Sequence, residues 1–210
     1  MNLKRIIDFF LLKKDFYARL NDKTMWLYIG IALVGIRDVG LAVLGLNISS
    51  SGDPVISFSL KTCAILFLAA LVIGLIDVIC FSYPIFDIIK YFKRRSDSNA
   101  LALGTSYSSL LTKVMKVYIA VNIIVTPLSL LSYYTFHLTG KYEMALLVYL
   151  TAVLDVLAYF WFNGAITRGL CVLFKIPARV RVLVFMLVFV WNALLSEALG
   201  LLFTQVIIRL

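Results

Sequence analysis

Histidine is almost missing from this chain: the 210 residues hold one, His137. An imidazole-based metal site therefore has no ligand set. A Ser–His pair would need His137 at depth beside a serine, and the apolar runs place it at an outer membrane boundary instead. Cysteine is nearly as scarce. Cys63 and Cys80 fall inside the second apolar run and Cys171 in a cytoplasmic loop, with no CxxC or Cys/His spacing, so neither a disulfide nor a metal is expected. HExxH, GxSxG, Walker motifs and the carboxylate-rich motif of phospholipid synthases are all absent. The expectation is a protein that is not an enzyme and carries no cofactor.

Charged residues make up only 15% of the chain, while 62% are hydrophobic and the mean hydropathy is +0.99. A soluble domain of this length cannot hide that much apolar surface. Five blocks reach the roughly 20 apolar residues that a bilayer crossing takes. They run Trp26–Leu46, Phe58–Ser82, Val114–Phe136, Met144–Ile166 and Leu183–Ile208. The expected fold class is an all-α polytopic membrane protein of five transmembrane helices, a single domain over 25–210 behind a cytoplasmic segment 1–24. "FFLL" at Phe9–Leu12 is too short for a signal-peptide core and no cleavage site follows it, so the mature chain is expected to begin at Met1.

Basic residues orient the chain. Lys4, Arg5, Lys13, Lys14, Arg19 and Lys23 precede the first block. Lys90, Lys93, Arg94, Arg95, Lys113 and Lys116 lie between the second and third, and Arg168, Lys175, Arg179 and Arg181 between the fourth and fifth. Only Lys61, Lys141 and Arg209 fall on the other side. This positive-inside bias predicts a cytoplasmic amino terminus and an outer carboxyl terminus. It also accounts for the net charge of +9 through attraction to anionic headgroups, with no nucleic acid involved.

Ile6, Phe9, Phe10, Phe16, Tyr17 and Leu20 recur at helical spacing among lysines, which predicts an amphipathic helix in the headgroup layer or a helical lead-in packed on the bundle. After "SYP" the chain is expected to turn, and "IFDIIKYFKRR" to continue as a second interfacial helix. "SDSN" at Ser96–Asn99 reads as a linker and "NISSSGDP" as an outer turn-rich loop. The sequon at Asn47 sits too close to the membrane to carry weight.

Within the blocks stand Arg37, Asp38, Asp77, Asn122, Asp155 and Glu197. Ionisable groups at such depth are rare, face the bundle interior, and pair or function. Counted along each block, Arg37, Asp38, Asp155 and Glu197 reach mid-depth, so Arg37 is expected to meet Asp155 or Glu197, with Asp38 turned about 100° away. Small and polar residues mark the protein-facing side of each block. These are Gly30, Arg37, Asp38 and Gly45; Ala70, Gly74 and Asp77; Tyr118, Asn122, Thr126, Ser129 and Tyr133; Thr151, Asp155, Tyr159 and Asn163; Ala193, Glu197, Gly200 and Thr204. The cluster reads either as a charge-paired core that fixes which helices meet, or as a polar path for protons, ions or a substrate.

The layout also resembles a known family. "LLKKDFYARLNDK" before the first span, "GTSYSSLLTKVMKVY" running on to "TPLSLL" in the third, and the basic turn "FKIPARVRVLV" before the fifth are similar to the Yip family of Rab-interacting membrane proteins. Without the long amino-terminal arm of eukaryotic members, the likeness is to compact bacterial-type members. It implies a multi-pass protein of a bacterial cytoplasmic membrane that organises membrane or binds membrane or cytoplasmic protein partners, with homo-oligomers open and no catalytic residues to carry over. The alternative is a small transporter or permease-like subunit using the acidic midplane.

Overall fold

An apolar run in a bilayer has no water to satisfy its backbone, so each crossing must close its hydrogen bonds internally as a helix. The structure, a computed structural model, describes residues 17, 24–49, 59–96, 107–142 and 145–207. Those residues form five helices: α1 Met25–Ser49, α2 Leu60–Ser96, α3 Tyr107–Tyr142, α4 Ala145–Leu173 and α5 Arg181–Ile207. All five are long and apolar enough to span a membrane, and no strand occurs among the described residues. The five blocks are therefore five helices; α2 and α4 run on past their expected carboxyl-terminal ends and α3 past both of its expected ends. Most of the predicted amphipathic segment 1–24 lies outside the described residues, as do the tip of the "NISSSGDP" loop and most of "SDSN".

Helix α1 packs on α2 and α3, α2 also on α3 and α5, and α4 on α3 and α5. Hydrophobicity cannot drive these contacts in lipid, so close van der Waals packing at small residues must. The tightest is between α1 and α2. A Cβ placed on Gly35 would lie 1.8 Å from the Ala70 carbonyl oxygen, and one on Gly74 2.3 Å from that of Ile31. The two backbones touch there, and only glycine fits. Leucines on the outer faces, such as Leu146, Leu157 and Leu194, stay exposed for lipid.

Helix α2 does not turn at "SYP". It passes through Pro84 as one helix of 37 residues, about 55 Å long and well beyond the roughly 30 Å hydrocarbon core. A proline in a helix interior removes the N–H that would bond the carbonyl four residues back. Here that carbonyl belongs to Cys80, and the Trp191 indole Nε1–H of α5 donates to it at 3.0 Å. The segment after Pro84 packs its inner side on the bundle. Ile85, Phe86 and Ile89 are buried in protein, with the Phe86 ring 4.8 Å from Tyr107 and 5.7 Å from Phe174.

Cys171, expected in a loop, is buried within α4. The helix ends two residues past it, at Leu173. Lys175 has φ 52°, Ile176 N–H donates to Cys171 O at 3.0 Å and Lys175 N–H to Val172 O at 3.4 Å, a Schellman closure with lysine where glycine is usual. Pro177 and a 3-10 turn, Ala178–Val180, then launch α5.

Tyr17 is the one residue described in the middle of the amino-terminal segment, and it is fully buried. Its hydroxyl donates to the Ala165 carbonyl of α4 at 2.9 Å, and its ring lies where Gly169 has no side chain. Of the two readings of that segment, Tyr17 follows the one packed on the bundle. Burial raises the Tyr17 hydroxyl above its ordinary range, with Arg168 pulling the other way, so the hydroxyl keeps the proton it donates.

Candidate functional site

Arg37 is at the midpoint of α1, where a lone cation would be costly. The preceding Gly35 fixes one face of "GIRDVG" against α2, which turns residues 37 and 38 to other faces of the helix. The long arginine side chain folds back on its neighbour. Its Nε donates to Asp38 Oδ1 at 2.9 Å and its Nη2 lies 2.7 Å from the same oxygen. Its Nη1 donates to Asn122 Oδ1 on α3.

Asn122 is itself held by its Nδ2, which donates to the Tyr118 carbonyl at 3.0 Å. The Tyr118 hydroxyl then donates to both oxygens of Asp77 on α2, at 2.9 and 3.0 Å. Three helices are thereby joined through a run of polar side chains that are buried or nearly so. Beneath Tyr118 the contacts turn aromatic. Phe81 stacks on its ring at 4.0 Å, and Phe162 meets it edge-on at 6.2 Å.

These groups line a cavity of about 340 Å³ to which all five helices contribute. Its floor is Asp77, Tyr118 and Asn122, all buried. Asp155, Ser196 and Gly200 line its other end and are exposed. On α3 the lining continues from Tyr118 to Ser129, which is roughly 16 Å of helix axis. The cavity is thus closed by aromatic and apolar residues at one end and polar to the surface at the other. One lining atom has no partner: Asp38 Oδ2 is buried and accepts no hydrogen bond among the described residues.

The cluster read from the sequence is divided by this geometry. Arg37, Asp38, Asp77, Asn122 and Asp155 all line the one cavity. Glu197 does not: it is exposed on α5 beside the lining residues Ser196 and Gly200. The expected bridge from Arg37 to Asp155 or Glu197 is replaced by the pair with Asp38 and the bond to Asn122. The cause is helix phase. On α5 the lining face is Asn192, Ser196, Leu199 and Gly200, one residue out of step with the Ala193–Glu197 face expected from the acid. Asn192 and Ser196, two polar residues one turn apart in an apolar run, are the signal in the sequence that marks this face. Ala70 and Gly74 do face protein, as a packing notch and not as cavity wall.

Among the described residues no group of three or more His, Cys, Asp or Glu side chains is arranged to hold a metal ion. No protein-family model matches the chain, and no curated protein or solved structure matches it.

Proposed function

We propose that this chain is a non-enzymatic integral membrane protein that takes a small cationic solute, or protons, into its midplane cavity, acting as a small transporter or permease-like subunit. The observation that carries the reading is Asp38: a lining carboxylate held on one oxygen by Arg37 while the other, Oδ2, is buried without a partner. With Asp77 and Asp155 in the same wall against one arginine, the lining is acidic in balance. Buried acids that are left incompletely paired mark ion and proton pathways in membrane proteins.

The test is proton or cation flux into liposomes holding the purified chain, followed by an internal pH dye and by a series of small cations under a potassium diffusion potential. Asp38→Asn is expected to abolish the flux in a chain that still reconstitutes. Equal flux from the Asp38→Asn chain, or none from the parent, overturns the reading.

A second reading has its own support. An apolar groove of about 780 Å³ runs between α2 and α5, lined by residues such as Phe92, Pro177, Leu183 and Met186. That surface suits a partner's apolar helix and fits the Yip-like proposal of membrane organisation through protein partners. Capture from mild detergent tests it, and a groove variant, Leu183→Gln with Met186→Gln, should release any stoichiometric partner. The positive-inside pattern supports a cytoplasmic amino terminus, and the resemblance supports a bacterial cytoplasmic membrane, for either reading.

A further inference from the structure

We propose that the slot between α4 and α5, next to the turn that joins them, is a binding site for one anionic phospholipid whose phosphate lies among Arg168, Lys175 and Arg181. This second cavity measures about 730 Å³, and its walls hold all three cations together with Gly164, Val172 and Phe185. Its composition is that of a phospholipid reversed. The cations gather toward the turn, at the end that the positive-inside pattern assigns to the cytoplasmic surface, while Gly164 and Phe185 lie toward the membrane interior.

Three features separate this site from diffuse attraction of basic loops to a surface. None of the three cations forms an ion pair with an acidic side chain among the described residues. Three of the last carbonyls of α4 are already occupied, since the Phe174, Lys175 and Ile176 N–H groups donate to Leu170, Val172 and Cys171, so they do not draw the cations away from a ligand. Lys175 also stands at φ 52°, a backbone position where glycine is the unstrained choice, yet a cation occupies it at the edge of this cavity. Basic pockets between transmembrane helices on the cytoplasmic side suit lipid phosphates.

Native mass spectrometry of the full chain, titrated in detergent with phosphatidylglycerol, tests the site. One lipid per chain is expected, with phosphatidylcholine, glycerol 3-phosphate and inorganic phosphate all binding far more weakly. Affinity should fall about fivefold for each cation removed from the site. Arg168→Gln with Arg181→Gln removes two, and Lys175→Gly removes one while relieving the backbone, so its loss cannot be laid to misfolding. Lys113→Gln, on α3, serves as the charge control and should bind as the parent does. Parental affinity in Lys175→Gly, equal loss in Lys113→Gln, or equal binding of phosphatidylcholine overturns the proposal. So does free phosphate binding as tightly as the lipid, which would make this a soluble-anion site.

Discussion

Gly35 on α1 and Gly74 on α2 meet backbone to backbone: a Cβ on Gly74 would come within 2.7 Å of the Gly35 nitrogen. Gly40, five residues along the same motif, has nothing within 4 Å of the corresponding position. The two glycines of "GIRDVG" therefore make opposite predictions. Gly35→Ala should destabilise by about 3 kcal/mol or more, at or above the usual overpacking range, because backbone cannot step aside as a side chain can. Gly40→Ala should be neutral or stabilise by up to about 1 kcal/mol through helix propensity. Thermal unfolding of both variants in detergent checks the contrast.

The bond from Trp191 to Cys80 exists because Pro84 cannot make it. Trp191→Phe should cost about 1–3 kcal/mol, the range for leaving an acceptor unsatisfied, because the Cys80 carbonyl faces lipid and no water replaces the indole there. In a Pro84→Ala background the helix supplies its own donor, so the same change should cost clearly less. A double-mutant cycle measures that coupling, and equal costs in the two backgrounds would separate the indole from the proline.

Removing the cation at residue 37 tests which acid it serves. Arg37→Met strands the Asp38 carboxylate and should cost on the order of 3–5 kcal/mol. Adding Asp38→Asn should recover part of the loss, whereas Asp155→Asn or Glu197→Gln should recover none. Rescue through either distant acid would restore the cross-bundle bridge that the structure replaces.

Much of the fold was legible because a bilayer permits so little. Long apolar blocks can only be helices, and their number follows directly from the blocks at Met25, Leu60, Tyr107, Tyr149 and Ala178 onward. Helix ends were less visible. Pro84 reads as a break only until a distant indole is known to satisfy the freed carbonyl, and no local pattern reveals Trp191 in that role. The polar site was legible as a set of residues and not as a set of partners. Depth can be counted along a sequence, but rotation cannot be fixed to better than a residue, and a slip of 100° moves the lining from Glu197 to Ser196. An arginine is also long enough to reach its own neighbour, which a helical wheel does not anticipate.

Tyr17 anchors the amino-terminal segment to α4, so Tyr17→Phe should cost about 1 kcal/mol for the lost hydrogen bond to Ala165. Faster proteolysis between residues 1 and 24, relative to the parent, is the readout. The pH dependence has a defined sign. The folded chain raises the Tyr17 hydroxyl above its ordinary 10.0, so the anchor's contribution is complete below that value and declines as pH rises past it. Tyr17→Phe should lack this alkaline decline.

The account stands on a cavity that is polar to the surface at one end and sealed by Phe81, Tyr118 and Phe162 at the other. Thiol labelling reads this directly. With Cys63, Cys80 and Cys171 replaced, single cysteines at Asp155 and Ser196, which line the cavity, are compared with cysteines at Leu157 and Leu194, which are also exposed but do not line it. A small, charged, membrane-impermeant thiol reagent should modify Asp155→Cys and Ser196→Cys and spare Leu157→Cys and Leu194→Cys. Val117→Cys, in the apolar core, should also be spared. Equal protection of all five positions, or labelling of the other exposed pair as fast as the cavity pair, would contradict a water-accessible polar cavity.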